Sequence, residues 1–266
     1  MRLHVHEWGD RDAAAVVCVH GVSAHGRRFR KLTEERLAAH FRVLAPDLRG
    51  HGRSGYDPPW DLKTLVDDLL ETLDAAEVNV AAWVGHSLGG RLLLELAARL
   101  PERMSCAVLL DPAIQILPHV GLDFAREAAQ ERSYATADEA IEARLASGAP
   151  TPRAFVEEEA REHLVPLENG RLGWRFCRLA EVAIYSELCR EPPPPTVLAQ
   201  IPALLVHAAH FGLVREEQLE EYEAALGDGL DVVIVPGGHV VYWDAYDEAA
   251  DAVEKFLIRH ASVSHA

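Results

Sequence analysis

Absences narrow the possibilities first. No apolar run in the 266 residues approaches the length that spans a bilayer, and the opening MRLHVHEWGD lacks the apolar stretch of a signal peptide. Neither membrane insertion nor export is therefore expected. Cysteine is scarce: Cys18, Cys106, Cys177 and Cys189 form no C-x-x-C pair. The first two sit in apolar strand-like runs, where small buried thiols are common, so the chain reads as cytoplasmic, with reduced thiols and no cysteine metal site. Positive charge is in deficit, 26 Lys and Arg against 42 Asp and Glu, a formal net charge of −16. Binding to nucleic acid needs a basic face to neutralise phosphate, so that partner class is excluded. There is no H-E-x-x-H, and the glycine turn after Val84 does not match G-x-G-x-x-G, so no metal and no nucleotide cofactor is expected.

What is present is a series of short apolar runs: Ala13–His20, Phe41–Asp47, Val78–Val84, Ser105–Asp111, Ile201–Ala208 and Leu230–Gly237. Continuous runs of this length suit parallel strands buried on both faces. Helical patterns separate them over Thr33–Ala39, Leu62–Leu73 and Arg91–Leu100, and another covers about Asp247–His260. The alternation predicts an α/β fold, a mostly parallel central sheet with helices on both faces. It breaks after Asp111, and residues 113–200 hold no convincing strand. Thr136 and Glu139 have capping-box spacing for a helix through about Ala146, and Thr151-Pro152 marks a second start with proline at the first helical position. A third helical pattern covers about Leu179–Leu188 before EPPPP stops it. The expected organisation is a core in two parts, residues 1–112 and 201–266, with a helical cap of residues 113–200 inserted over the carboxyl ends of the strands, where open sheets bind ligands. The glutamates at 157–159 read as a solvated helix face.

The stretch VGHSLGG, Val84–Gly90, carries the chemistry. Gly85-His86-Ser87-Leu88-Gly89 has G-x-S-x-G spacing after an apolar strand and before a helical pattern, the setting of a nucleophile elbow. Ser87 would project at the tip of the turn, and the Leu88 N–H would face developing negative charge on a substrate oxygen. His239 follows an apolar strand and Gly237-Gly238, a loop position from which an imidazole can take and return a proton.

Four separated segments, VHGVSAHG, DLRGHGRS, VGHSLGG and VPGGHVVYWD, resemble the α/β-hydrolase fold superfamily with a helical cap, over nearly the whole chain. The resemblance implies that His20-Gly21 opens the oxyanion loop, with the Val22 N–H as second donor beside Leu88 and the Ser23 hydroxyl near the pocket. It reads Gly50 and Gly52 as structural and His51 as a packing residue. It makes His239 the base rather than His86. The superfamily most often carries its acid after the strand that here reads ALLVHA, yet HAAHFGLV offers Phe211 near that place and no carboxylate before Glu216. A second arrangement in the superfamily puts the acid at the end of the preceding strand, which is Asp111, although that residue could equally cap the turn into Pro112. Asp244 reads as ordering the last helix.

His86, Trp174, Arg175, His207, His210 and Phe211 are the further candidates for the pocket, Arg175 either holding a substrate carboxylate or pairing with an acidic residue of the cap. A serine nucleophile implies an acyl-enzyme and hydrolysis of a small carboxylic ester or lactone. Carbon–carbon bond hydrolysis of a diketone-like substrate and a non-catalytic receptor for a small ligand are the alternatives. The expected partner is a small-molecule substrate, with no cofactor, and the chain is expected to be a monomer or homodimer.

Overall fold

Residues that are apolar on both sides of the backbone build the centre of the sheet. The computed structural model of the protein describes residues 1–146, 151–210 and 212–261. Its main strands are β1 (Val5–Trp8), β2 (Ala15–Val19), β3 (Arg42–Pro46), β4 (Ala81–His86), β5 (Met104–Leu110), β8 (Ala203–Ala208) and β9 (Leu230–Val235), with β6 (Leu164–Pro166) and β7 (Leu172–Trp174) paired separately. The sheet order is β1-β3-β2-β4-β5-β8-β9, parallel except for β1, which runs against β3. Along β4 and β5 successive side chains enter opposite layers. Trp83 and Leu109 join one cluster with Leu92 and Leu93, while Val84 and Val108 join the other with Phe29 and Phe256. Both faces are thus covered, which is why these strands read as unbroken apolar runs.

The helices are α1 (Arg30–Leu32), continued by a π-helical turn at Thr33–Leu37, α2 (Leu62–Ala75), α3 (Leu88–Arg99), α4 (Pro118–Ala129), α5 (Ala137–Leu145), α6 (Arg153–His163), α7 (Arg178–Leu188), α8 (Glu216–Leu226), α9 (Val241–Asp244) and α10 (Tyr246–His260). Asp61 starts α2 by accepting the Thr64 N–H at 2.8 Å. Thr136 starts α5 by accepting the Glu139 N–H at 3.2 Å, and the Glu139 carboxylate reaches back to the Ala135 N–H, one residue before the cap. Pro152 stands as the cap of α6 rather than its first residue. None of the described helices is long and apolar enough to cross a membrane.

Three elements were not expected from the sequence. Strand β1 mixes His6 and Glu7 with apolar residues because it lies at the sheet edge and is only partly buried. The β6–β7 hairpin overturns the expectation that residues 113–200 hold no strand; three residues per strand are too few to show alternation. Helix α4, not expected from the sequence, is amphipathic: Gly121 is buried, Val120 and Phe124 pack partly buried on the core, and the helix lies on α7.

Between the neighbouring strands β5 and β8 the chain leaves the sheet for α4–α7 and the hairpin. Ion pairs tie this segment to the region after β2: Arg27 to Glu162, Arg28 to Glu159 and Arg30 to Glu158. Here the expected solvated glutamate face is corrected. Val156, Glu159, Ala160 and His163 share the buried face of α6, so helical spacing turns Glu159 inward. The side chains of Arg28 and Glu159 are 3% and 5% exposed, whereas Arg30 and Glu158 are each 32% exposed. Glu159→Gln strands a buried guanidinium and is expected to cost about 3 kcal/mol, against under about 1 kcal/mol for Glu158→Gln. Urea midpoints of the two variants check this, and equal losses would contradict it.

Candidate active site

Strand β4 ends at His86, and the chain turns sharply into α3. Ser87 makes the turn with φ 54° and ψ −115°, a left-handed conformation costly for a residue with a Cβ. Its N–H donates to the Leu110 carbonyl at 3.1 Å, and its own carbonyl accepts from Arg91 at 3.2 Å and Ala113 at 3.0 Å. Its hydroxyl makes no capping bond to α3, so Ser87 is not acting as a helix cap. Gly89 is required by contact: a Cβ there would stand 2.0 Å from the Val19 carbonyl oxygen. Leu88 is the first residue of α3, where N–H groups have no partner within the helix.

The loop after β2 passes directly over the serine. A Cβ on Gly21 would lie 2.9 Å from Ser87 Cβ and 3.4 Å from its Oγ, so only a bare backbone fits beside the hydroxyl. His20 holds this loop. Its Nδ1–H donates to the Gly21 carbonyl at 2.7 Å and its Nε2 accepts the Leu48 N–H at 2.9 Å, the tautomer following from these partners. Both ring nitrogens are engaged and burial lowers its pKa well below the ordinary value, which removes His20 as a base.

His239 lies on the loop between β9 and α9, and its Nδ1 is 2.5 Å from Asp111 Oδ2. Asp111, which follows β5, is fully buried at φ 38°. It also accepts the Leu213 N–H at 3.2 Å and the Ala208 N–H at 3.4 Å. Burial pushes its carboxyl up, but the adjacent imidazoles of His207 and His239 and the Leu213 N–H outweigh burial and hold its pKa below the usual carboxylate value. Asp111 therefore faces His239 as an anion. The two other carboxylates near this region face elsewhere: Glu216 is exposed, and Asp244 accepts from the Val240 N–H at 3.1 Å and the Thr151 hydroxyl at 2.9 Å.

His86 ties His239 to the elbow. Its Nε2–H donates to the His239 carbonyl at 2.9 Å, and the two rings are 4.6 Å apart. Burial, then the neighbouring His239, holds His86 well below its ordinary pKa, so it serves as a neutral support for the histidine loop.

The remaining pocket candidates divide. His207 borders Asp111, its Nδ1 3.5 Å from Oδ1 without hydrogen-bond geometry. His210 is exposed. Trp174 closes β7 and packs on Ile141, Val156 and Ala160, a small core of the inserted segment rather than a wall beside Ser87. Arg175 forms no ion pair among the described residues, against the expected acidic partner, and its Nε is buried without one; its carbonyl accepts the Gly52 N–H at 2.9 Å. Phe211 lies outside the described residues. His51 is buried, with Nδ1 3.1 Å from the Arg49 carbonyl, as a packing residue would be.

One residue at this site was not singled out in the sequence. The Ser23 hydroxyl, one position after Val22, donates to Oε1 of Glu181 on α7. Glu181 is 4% exposed, and burial raises its pKa to about 7, with the Ser23 hydrogen bond opposing the rise. Its signal was spacing: Glu181, Ile184 and Leu188 share one buried helix face. An acid raised from 4.5 to about 7 holds an extra proton in the folded state between those pH values, so stability falls as pH rises through that window. Glu181→Gln is expected to melt at the same temperature as the parent near pH 4.5 and several degrees higher at pH 8. A constant difference across the range in melting curves would contradict this.

A parallel sheet that presents a strained serine, a buried carboxylate and a histidine at its carboxyl edge has the architecture of an α/β hydrolase. The chain belongs to the alpha/beta hydrolase family, whose model matches residues 16–252. It is similar to Lipase LipV of Mycobacterium tuberculosis, with 33% identity over 90% of this chain and 91% of the relative. It is also similar to Esterase YbfF of Escherichia coli, with 24% identity over 91% and 92% of the two chains. Among solved structures, E-2-(acetamidomethylene)succinate hydrolase superposes with a TM-score of 0.84 and 25% identity, covering 96% of this chain and 95% of that one.

Proposed function

We propose that this chain is a serine hydrolase of small carboxylic esters or lactones, working through an acyl-enzyme with Ser87, His239 and Asp111 as its triad. The observation that carries the reading is the 2.5 Å contact between His239 and a buried, ionised Asp111, on a loop bonded to the serine turn through His86. In this reading Ser87 Oγ attacks the acyl carbon while His239 Nε2 takes its proton. The oxyanion is received by the Val22 and Leu88 N–H groups. His239 then protonates the leaving alkoxide, and a water, deprotonated by the same nitrogen, releases the acid and restores Ser87. Asp111 keeps the proton on Nδ1, so that Nε2 is free to accept, and stabilises the imidazolium.

Residues 113–200 act as a cap in this account, and α7 brings Glu181 against the oxyanion loop. The names lipase and esterase borne by two relatives support ester chemistry. The test is a panel of short p-nitrophenyl esters, unsubstituted γ- and δ-lactones and a vinylogous diketone. Ester or lactone turnover with kcat/KM on the order of 10⁴ M⁻¹s⁻¹ is expected for the best substrate. Cleavage of the diketone alone would replace this reading with carbon–carbon hydrolysis, and ligand binding without turnover would replace it with a receptor.

A further inference from the structure

Away from the serine, three ligand-bearing side chains converge at the edge of the sheet. Strand β1 pairs antiparallel with β3, with Val5 opposite Pro46, and the Asp47 N–H donates to the His4 carbonyl at 2.8 Å. His4 therefore stands across from Asp47. His4 and His6, two residues apart in extended chain, project to the same face, and their rings are 4.8 Å apart. A nitrogen from each ring and a carboxylate oxygen of Asp47 all lie within 4.8 Å of one another. His6 Nε2 is 3.2 Å from Asp47 Oδ1, close to the spacing of neighbouring ligands on a tetrahedral ion with bonds of about 2.0–2.1 Å.

Asp47 is suited to hold a cation. It is fully buried, and its two oxygens are fixed by the Gly26 and Arg53 N–H groups, each at 2.8 Å. The partner it now has is the proton on His6 Nε2, a position that a metal ion can take. The His6 side chain is 10% exposed and His4 is partly exposed, which leaves a solvent side for a water to complete the coordination.

We propose that His4, His6 and Asp47 form a binding site for a divalent transition metal of the zinc class, separate from the serine chemistry. Two imidazoles and one carboxylate match the ligand preference of zinc and its neighbours rather than that of calcium or magnesium, which take oxygen. Binding in this site requires the His4 ring to close the last part of the 4.8 Å within which the three ligand atoms lie. The bound ion fastens β1 to β3 and, through the Asp47–Gly26 bond, to the end of the loop that carries Val22. Its effect is on stability, and it supplies no step of the reaction.

The test uses the full chain without an affinity tag, stripped with chelator and dialysed. Zinc chloride titrated by calorimetry at pH 7.5 is expected to bind one ion per chain, and a hundredfold excess over Kd to raise Tm by about 5 °C or more. His4→Asn and His6→Asn are each expected to weaken binding at least tenfold, whereas His119→Asn, at an exposed position, leaves it unchanged. Should either ligand variant fail to fold, cobalt(II) added to the parent chain is expected to give the visible bands of a tetrahedral nitrogen–oxygen site. No zinc binding, binding that survives both ligand variants, or a purely octahedral cobalt spectrum would overturn the proposal.

Discussion

Ser87→Ala is expected to lower kcat for the best ester by about 10⁵-fold while leaving the fold intact. The size of the loss follows from what the hydroxyl does and does not touch. It makes no capping bond to α3, so its removal strands no helix end. The turn is held by backbone groups, the Ser87 N–H on Leu110 and the Ser87 carbonyl under Arg91 and Ala113, all of which alanine retains. Stability is therefore expected to stay within about 0.5 kcal/mol of the parent, as for a substitution that breaks no packing or hydrogen bond. A variant that keeps a tenth of the parent's turnover would mean that Ser87 is not the nucleophile. One that loses activity only because it unfolds would mean that the serine is structural.

Asp111→Asn is expected to lower kcat by about 10³–10⁴-fold, with a much smaller effect on KM. With its oxygen at the Oδ1 position asparagine can still accept the Ala208 N–H, at the loss of an acceptor for the Leu213 N–H. Its amide nitrogen, turned toward His239, donates where the carboxylate accepted. His239 Nδ1 must then be the unprotonated nitrogen, the proton moves to Nε2, and Nε2 can no longer take the proton of Ser87. The alternative, that Asp111 only caps the turn into Pro112, predicts the reverse pattern: a lowered unfolding midpoint with turnover nearly unchanged. Measuring kcat and the urea midpoint on the same preparation separates the two. Because Asp111 is held below the ordinary carboxylate pKa, the parent enzyme is expected to keep this anion throughout the range in which His239 works.

The central strands and the elbow were legible because both are written in local chemistry. A strand covered on both faces must be apolar along nearly its whole length, as β2 is and as β4 and β5 are apart from His86 and Ser105, and a turn in which a Cβ would meet a carbonyl at 2.0 Å must carry glycine, as position 89 does. The carboxylate that meets His239 was legible only as a choice. That Asp111 contacts His239, 128 positions away in the chain, depends on the order β4-β5-β8-β9, which brings the loops after β5 and β9 together. Glu159 and Glu181 were misread or passed over for a different reason. A glutamate on an amphipathic helix reads as solvated unless its partner is known, and the partners, Arg28 and Ser23, lie more than a hundred residues earlier. The short β6–β7 hairpin is set by pairing between its own strands and with Tyr134, not by composition.

The most direct measurement of the central claim is the intact mass of the protein after exposure to a small fluorophosphonate, with a compact acylating ester run in parallel in case the segment between β5 and β8 excludes the first probe. The account predicts a single adduct per chain that maps to Ser87, is absent in Ser87→Ala and forms far more slowly in His239→Ala. Folded parent protein that takes up neither reagent, or an adduct that persists in Ser87→Ala, would contradict it.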